Sequence, residues 1–122
     1  MNTNGNGNGN GTKYSKQGIA MQLLEIFSDP KRWIKGPYAR KIDGQSVYPS
    51  HPSAVSWCSA GAMFKLREEV EHGSEQRTAL DKFIPYWNQK AIEMTSMGYV
   101  EVNECMGLMA VRRVLEAIKA EA

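Results

Sequence analysis

A chain of 122 residues with 15 Lys and Arg against 13 Asp and Glu has a net charge of only +2, which argues against nucleic acid or an anionic membrane surface as a partner. The length suits one domain, and two cysteines do not make a disulfide framework. Neither a C-x-x-C nor an H-x-x-x-H pair is present to hold zinc; with no apolar run near the roughly 20 residues of a membrane span and no apolar leader core, a cytoplasmic protein with free thiols and no cofactor is expected.

Residues 1–12 are an Asn-Gly repeat with nothing apolar after Met1. Such a composition cannot offset the entropy of folding, so a disordered tail is expected there. A single helical domain is expected over 13–122. Ser15 to Ser28 reads as the first helix: Ile19, Ala20, Leu23, Leu24, Ile26 and Phe27 share a broad face, with Gln22 and Glu25 opposite. Asp29-Pro30 ends it, because the residue before a proline is pushed away from helical dihedrals. Trp33 and Ile34 are apolar anchors, and Gly36-Pro37 breaks the chain. Tyr38–Ile42 and Gln45–Tyr48, joined by Asp43-Gly44, read as a small hairpin.

The second helix is expected from about Pro52 to Glu71, capped by Ser50 or His51. Ala54, Trp57, Cys58, Gly61, Ala62 and Phe64 would be its buried face, with small residues that let another backbone come close. Arg67, Glu68, Glu69 and Glu71 suit solvent, and His72-Gly73 ends the helix. The third helix should run from Ser74 or Glu75 to Ile84, with Pro85 interrupting and Trp87 folded back in a turn. Ala91–Met97 reads as another short helix closed by Gly98, and Tyr99–Val102 as a strand or an extended link. Asn103 would cap the last helix. Gly107, Ala110, Val111, Val114 and Ile118 line one face of it; Cys105 and Met109 lie on the polar side with Arg112, Arg113, Glu116 and Lys119. The expected fold is mainly α, with α+β as the alternative: three or four helices around one core, with a small hairpin or irregular insert after the first.

Three segments carry a resemblance. They are Trp33-Ile34-Lys35-Gly36-Pro37-Tyr38-Ala39-Arg40 with Asp43-Gly44 behind it, Ala54-Val55-Ser56-Trp57-Cys58-Ser59-Ala60-Gly61-Ala62, and Ile84-Pro85-Tyr86-Trp87-Asn88. With Val114-Leu115-Glu116-Ala117-Ile118 they resemble a family of small bacterial and phage proteins defined by sequence and without an established activity. Gln89 stands where that family often carries an acidic residue. The resemblance implies a helical fold and an accessory protein of a phage or mobile element, of a kind that acts by binding.

Cys58 is the candidate nucleophile, and a thiol in that role needs a base within hydrogen-bond reach. On one helix His51 would lie about 10 Å from it along the axis, and His72 about 21 Å, so helical geometry pairs neither. The carboxylates of Glu25, Asp29, Asp43 and the Glu68, Glu69, Glu71 run fix no working pair. Lys35, Arg40 and Lys41 cluster with Tyr38 on the hairpin; Lys35 and Arg40, with Trp33, Tyr38 and Trp87 as aromatic walls and Asn88 as an amide, are the candidate ligand-binding residues, because cations beside rings suit a phosphate or a flat base. The expected function is a non-enzymatic binding protein. It would take a small anionic or nucleotide-like ligand or a host protein, and it would self-associate. A small cysteine- or carboxylate-dependent hydrolase is the alternative.

Overall fold

The computed structural model describes residues 13–36 and 38–121; the Asn-Gly segment and Pro37 of the Gly36-Pro37 break lie outside them. The fold is mainly α with a small antiparallel sheet. Helix α1 (Lys16–Ile26) starts where expected, its first turn closed by the Gly18 N–H donating to Ser15 Oγ at 3.0 Å. A 3₁₀ turn follows (Pro30–Arg32), capped by Asp29, whose Oδ1 accepts from Lys31 N at 2.9 Å. Strands β1 (Ala39–Arg40) and β2 (Ser46–Val47) form the expected hairpin around Asp43-Gly44, with Gly44 at φ +88°.

The next segment departs from expectation. Residues 52–58 are not helical. Ser56–Trp57 is strand β3, paired with β1 in the register Ala39↔Trp57 and Arg40↔Ser56, so the sheet order is β2-β1-β3. Helix α2 is only Ser59–Glu68, with Cys58 as its N-cap. The spacing of Ala54, Trp57, Cys58 and Gly61 fits a helix, but pairing with β1 satisfies the same backbone and still buries Trp57. His51 organises the preceding turn: its Nδ1 accepts from Ser53 N at 2.9 Å, and the Trp57 indole N–H donates to Pro49 O at 2.9 Å. Phe64, expected in the core, is exposed.

The third helix is also corrected. Helix α3 (Glu75–Thr95) runs straight through Pro85 and absorbs the expected separate helix at Ala91. Leu80, Phe83, Trp87 and Ala91 are buried on one side while Pro85 is exposed. Burial of that apolar stripe outweighs the local cost of a helix-interior proline, about 3 kcal/mol from the lost N–H and the ring clash. Pro85→Ala is therefore expected to raise unfolding stability by about 1–3 kcal/mol, by restoring a donor for the Asp81 carbonyl; urea denaturation of the two proteins checks it.

Helix α3 closes at Ser96, at φ +70° in the left-handed region, rather than at Gly98. Tyr99–Glu101 is a helical turn (α4), not a strand, and it passes into a π-helical turn over Val102–Met106. Gly107, at φ +95°, donates its N–H to Val102 O at 3.1 Å and opens helix α5 (Leu108–Lys119). Asn103 is therefore no helix cap. The core gathers α1, α2, α3 and α5: Ile19, Leu23, Phe27, Met63, Leu80, Phe83, Trp87, Val111, Val114, Leu115 and Ile118 are all buried, and α1 packs most extensively along α5. Among the described residues, no helix is long and apolar enough to cross a membrane.

A polar clasp ties α1 and α3 to the segment after α5. Glu121 accepts from the Tyr86 hydroxyl and pairs with Lys90 at 2.6 Å and Lys16 at 3.8 Å. Lys90 first, and then Tyr86, hold its carboxyl below the usual range.

Candidate functional site

The expected ligand residues do not come together as one pocket. Trp87 is a core residue, 1% exposed, packed on Phe83 and Tyr99 at centroid distances of 5.8 and 4.7 Å; it is not an aromatic wall for a ligand. Asn88 is structural as well. Its Oδ1 accepts from Tyr99 N at 3.0 Å and lies so close to Gly98 that a Cβ there would meet it at 2.5 Å. Trp33 is half-buried, and its indole N–H is committed to Asn103 Oδ1 at 2.8 Å. Lys35 is exposed and does not line the cleft that holds Arg40. Tyr38 lines a different cleft, with Tyr48 and Phe64.

What the fold does assemble is a basic cleft. Lys31, Arg32, Arg40 and Lys41 line an open cavity of about 480 Å³ together with Asp29, Ile42, Gly44, Val55 and Ser56. The local architecture explains the convergence. The Asp29 cap folds Pro30–Arg32 into its tight turn, and the parallel bridge Trp33↔Trp57 lays the following residue against β3. The central strand β1 pairs with that same β3, so Arg40 and Lys41 arrive beside Lys31 and Arg32. Arg40 is held by its Nη1 donating to Gly44 O at 2.9 Å, and among the described residues its remaining guanidinium donors have no hydrogen-bond acceptor. Asp43 pairs with Lys41 at 3.9 Å; among the described residues Lys31, Arg32 and Arg40 have no ion pair. Sequence reading placed Arg40 and Lys41 in one cation cluster and missed Lys31 and Arg32. The signal for those two was Lys31-Arg32 directly after a capped Asp29-Pro30 turn.

A second polar centre is buried. Asn103, 1% exposed, accepts at Oδ1 from Trp33 Nε1 at 2.8 Å and from both Ser59 N and Ser59 Oγ at 2.9 Å. Its Nδ2 donates to Ile34 O at 3.1 Å and to Glu104 Oε2 at 2.8 Å. Glu104 in turn accepts from Gly36 N at 2.8 and 3.0 Å. One amide thus joins the loop after α1, the N-terminus of α2 and the π-helical turn. The amide's oxygen and both of its N–H groups are used inside the protein, so Asn103 positions structure.

Cys58 sits at the edge of this network, buried, with Sγ accepting from Gly61 N at 3.3 Å. Burial is the largest influence on its thiol and pushes it above the ordinary range, against the backbone N–H groups of Gly61 and Ala60 that pull it down. His51, on the far side of β3 in sequence, is turned to Ser53 and Tyr48. The thiol therefore stays protonated at neutral pH and caps a helix. Cys105, in the π-helical turn, and Met109, in α5, are both exposed, so Cys105 is not on the last helix as expected. Among the described residues no group of three His, Cys, Asp or Glu side chains is placed to hold a metal ion.

No family model matches the chain, and neither curated proteins nor solved structures match it.

Proposed function

We propose that this protein is a non-enzymatic binding protein for a small phosphate-bearing ligand, held in the Lys31–Arg32–Arg40–Lys41 cleft. The observation that carries the reading is the convergence of four cations on one cavity of about 480 Å³ in a chain whose net charge is only +2. A volume in this range suits a small ligand. Arg presents a planar fork to phosphate oxygens, and Lys adds point charges around it. Asp29 is the one carboxylate of the lining and offsets one of the four cations, so the lining stays net positive. The protonated, buried state of Cys58 weighs against the hydrolase alternative.

Titration calorimetry with inorganic pyrophosphate and with adenosine monophosphate tests the proposal. Arg40→Ala is expected to weaken binding by about 1.5–3 kcal/mol, the range for hydrogen bonds to charged groups, or roughly 10- to 150-fold. The fold should survive, because Arg40 is only partly buried and pairs with no carboxylate among the described residues. Equal affinity in wild type and variant would remove the cleft as the binding site.

A further inference from the structure

A second cleft, next to Tyr38, is of opposite character. Tyr38, Tyr48 and Phe64, with Pro49, Ser50 and Glu68, line a cavity of about 420 Å³. The three rings stay 51%, 63% and 41% exposed, whereas Phe27, Trp57, Phe83 and Trp87 are buried and Tyr14, Trp33, Tyr86 and Tyr99 partly buried. Tyr38 and Phe64 meet at 5.6 Å with an interplanar angle of 87°, so they form a corner rather than a stack. Tyr48 is braced from behind by His51 at 5.3 Å and 72°. The one charged residue of the lining is Glu68. Its Oε2 is 3.4 Å from Arg77, and its side chain remains 43% exposed.

The chemistry of these walls selects a cation. Aromatic faces carry negative quadrupole potential and attract ammonium and guanidinium groups. Phe64 already does so: the Arg67 guanidinium lies 5.7 Å from its centroid, while Arg67 itself is paired with Asp81 at 2.6 Å and stays out of the lining. The two tyrosine faces have no such guest among the described residues, and the Glu68 carboxylate stays partly exposed beside its pairing with Arg77. A carboxylate in the lining disfavours an anion. A methylated ammonium suits the site better than a bare one, because it gives up less hydration on entering between rings.

We propose that the Tyr38–Tyr48–Phe64–Glu68 cleft binds a quaternary ammonium head group. This site shares no residue with the basic cleft, so the two proposals stand or fall separately. The experiment is an NMR titration that follows the aromatic ring signals, using choline and its neutral carbon isostere 3,3-dimethylbutan-1-ol. Choline should shift the Tyr38, Tyr48 and Phe64 signals saturably, and the isostere should bind several-fold more weakly. Tyr48→Ala should weaken choline by roughly three- to thirtyfold, whereas Tyr48→Phe should retain most of the affinity. Glu68→Gln should weaken choline and leave the isostere unchanged. Tyr48 is the most exposed of the rings, so its variants should keep the fold. Equal affinity for choline and the isostere would overturn the proposal and make the cleft a general apolar surface. So would the absence of a saturable shift with choline, or choline binding indifferent to Tyr48→Ala.

Discussion

Asn103→Ala is expected to be the most damaging single truncation in the protein, lowering unfolding stability by about 3–5 kcal/mol. The loss does not come from packing volume. Removing the amide strands the Trp33 indole N–H, the Ser59 N–H and hydroxyl and the Ile34 carbonyl, all of which it now satisfies. A buried polar group left without a partner costs about 1–3 kcal/mol. Partial entry of water keeps the sum below the full total. Asn103→Asp separates this account from a purely steric one. The carboxylate keeps the acceptor but loses the donor to Ile34 O, and it places a second negative charge beside Glu104. Burial and that neighbour would raise the new carboxyl's pKa in the folded state. A raised folded-state pKa means that stability is recovered as pH falls and the acid is protonated. The deficit of Asn103→Asp against wild type should therefore shrink from pH 7 to pH 4.5 in urea denaturation, while that of Asn103→Ala should not. Equal pH dependence in the two variants would contradict the network.

Asn103 also shows where the sequence was readable and where it was not. Read locally, it is a good helix cap before an amphipathic run, and α5 does follow with Val111, Val114 and Ile118 buried as expected. Its real partners are 44 and 70 residues away, at Ser59 and Trp33, and no local pattern announces contacts of that range. The same division holds elsewhere. Helix α1 and the Asp43-Gly44 hairpin were legible because caps, periodicity and turn residues are local signals. Strand β3 was not, because Ala54, Trp57, Cys58 and Gly61 satisfy a helical period, and only pairing with β1 decides against it. Pro85 was weighed by its local cost, yet the stripe of Phe83, Trp87 and Ala91 on the same helix prevailed. For the basic cleft, Arg40 was identified from its own strand. Lys31 and Arg32 reach it only through the β1–β3 pairing and the Trp33↔Trp57 bridge. The small residues after Trp57 were read as a place where another backbone comes close, which is correct, but the approaching backbone is a strand end and not a helix.

That approach makes Gly61→Ala the second variant with a large expected effect. A Cβ on Gly61 would lie 1.8 Å from the Tyr38 carbonyl oxygen and 2.7 Å from its carbonyl carbon. Neither atom belongs to a flexible side chain that could turn aside. The same carbonyl accepts the Cys58 N–H at 3.3 Å, so strand β1 is held against the start of α2 from both sides of the contact. Ordinary van der Waals separation is at least 3.4 Å, and a single methyl therefore forces helix and strand apart by more than an ångström. Overpacking typically costs 1–3 kcal/mol and occasionally more. With backbone as the obstacle, about 3 kcal/mol is expected, a fall of roughly 10–20 °C in Tm for a domain of this size. Calorimetric unfolding measures it, and wild-type-like melting would show that α2 does not sit on β1. The displacement also has a reach beyond stability. Tyr38 follows the strand and Phe64 follows the helix, so the corner they form at 5.6 Å opens along with the contact. In Gly61→Ala protein that remains folded at low temperature, the ring signals of both residues should shift together. Arg40 is held to Gly44 within the hairpin itself, and it should keep its place in the basic cleft.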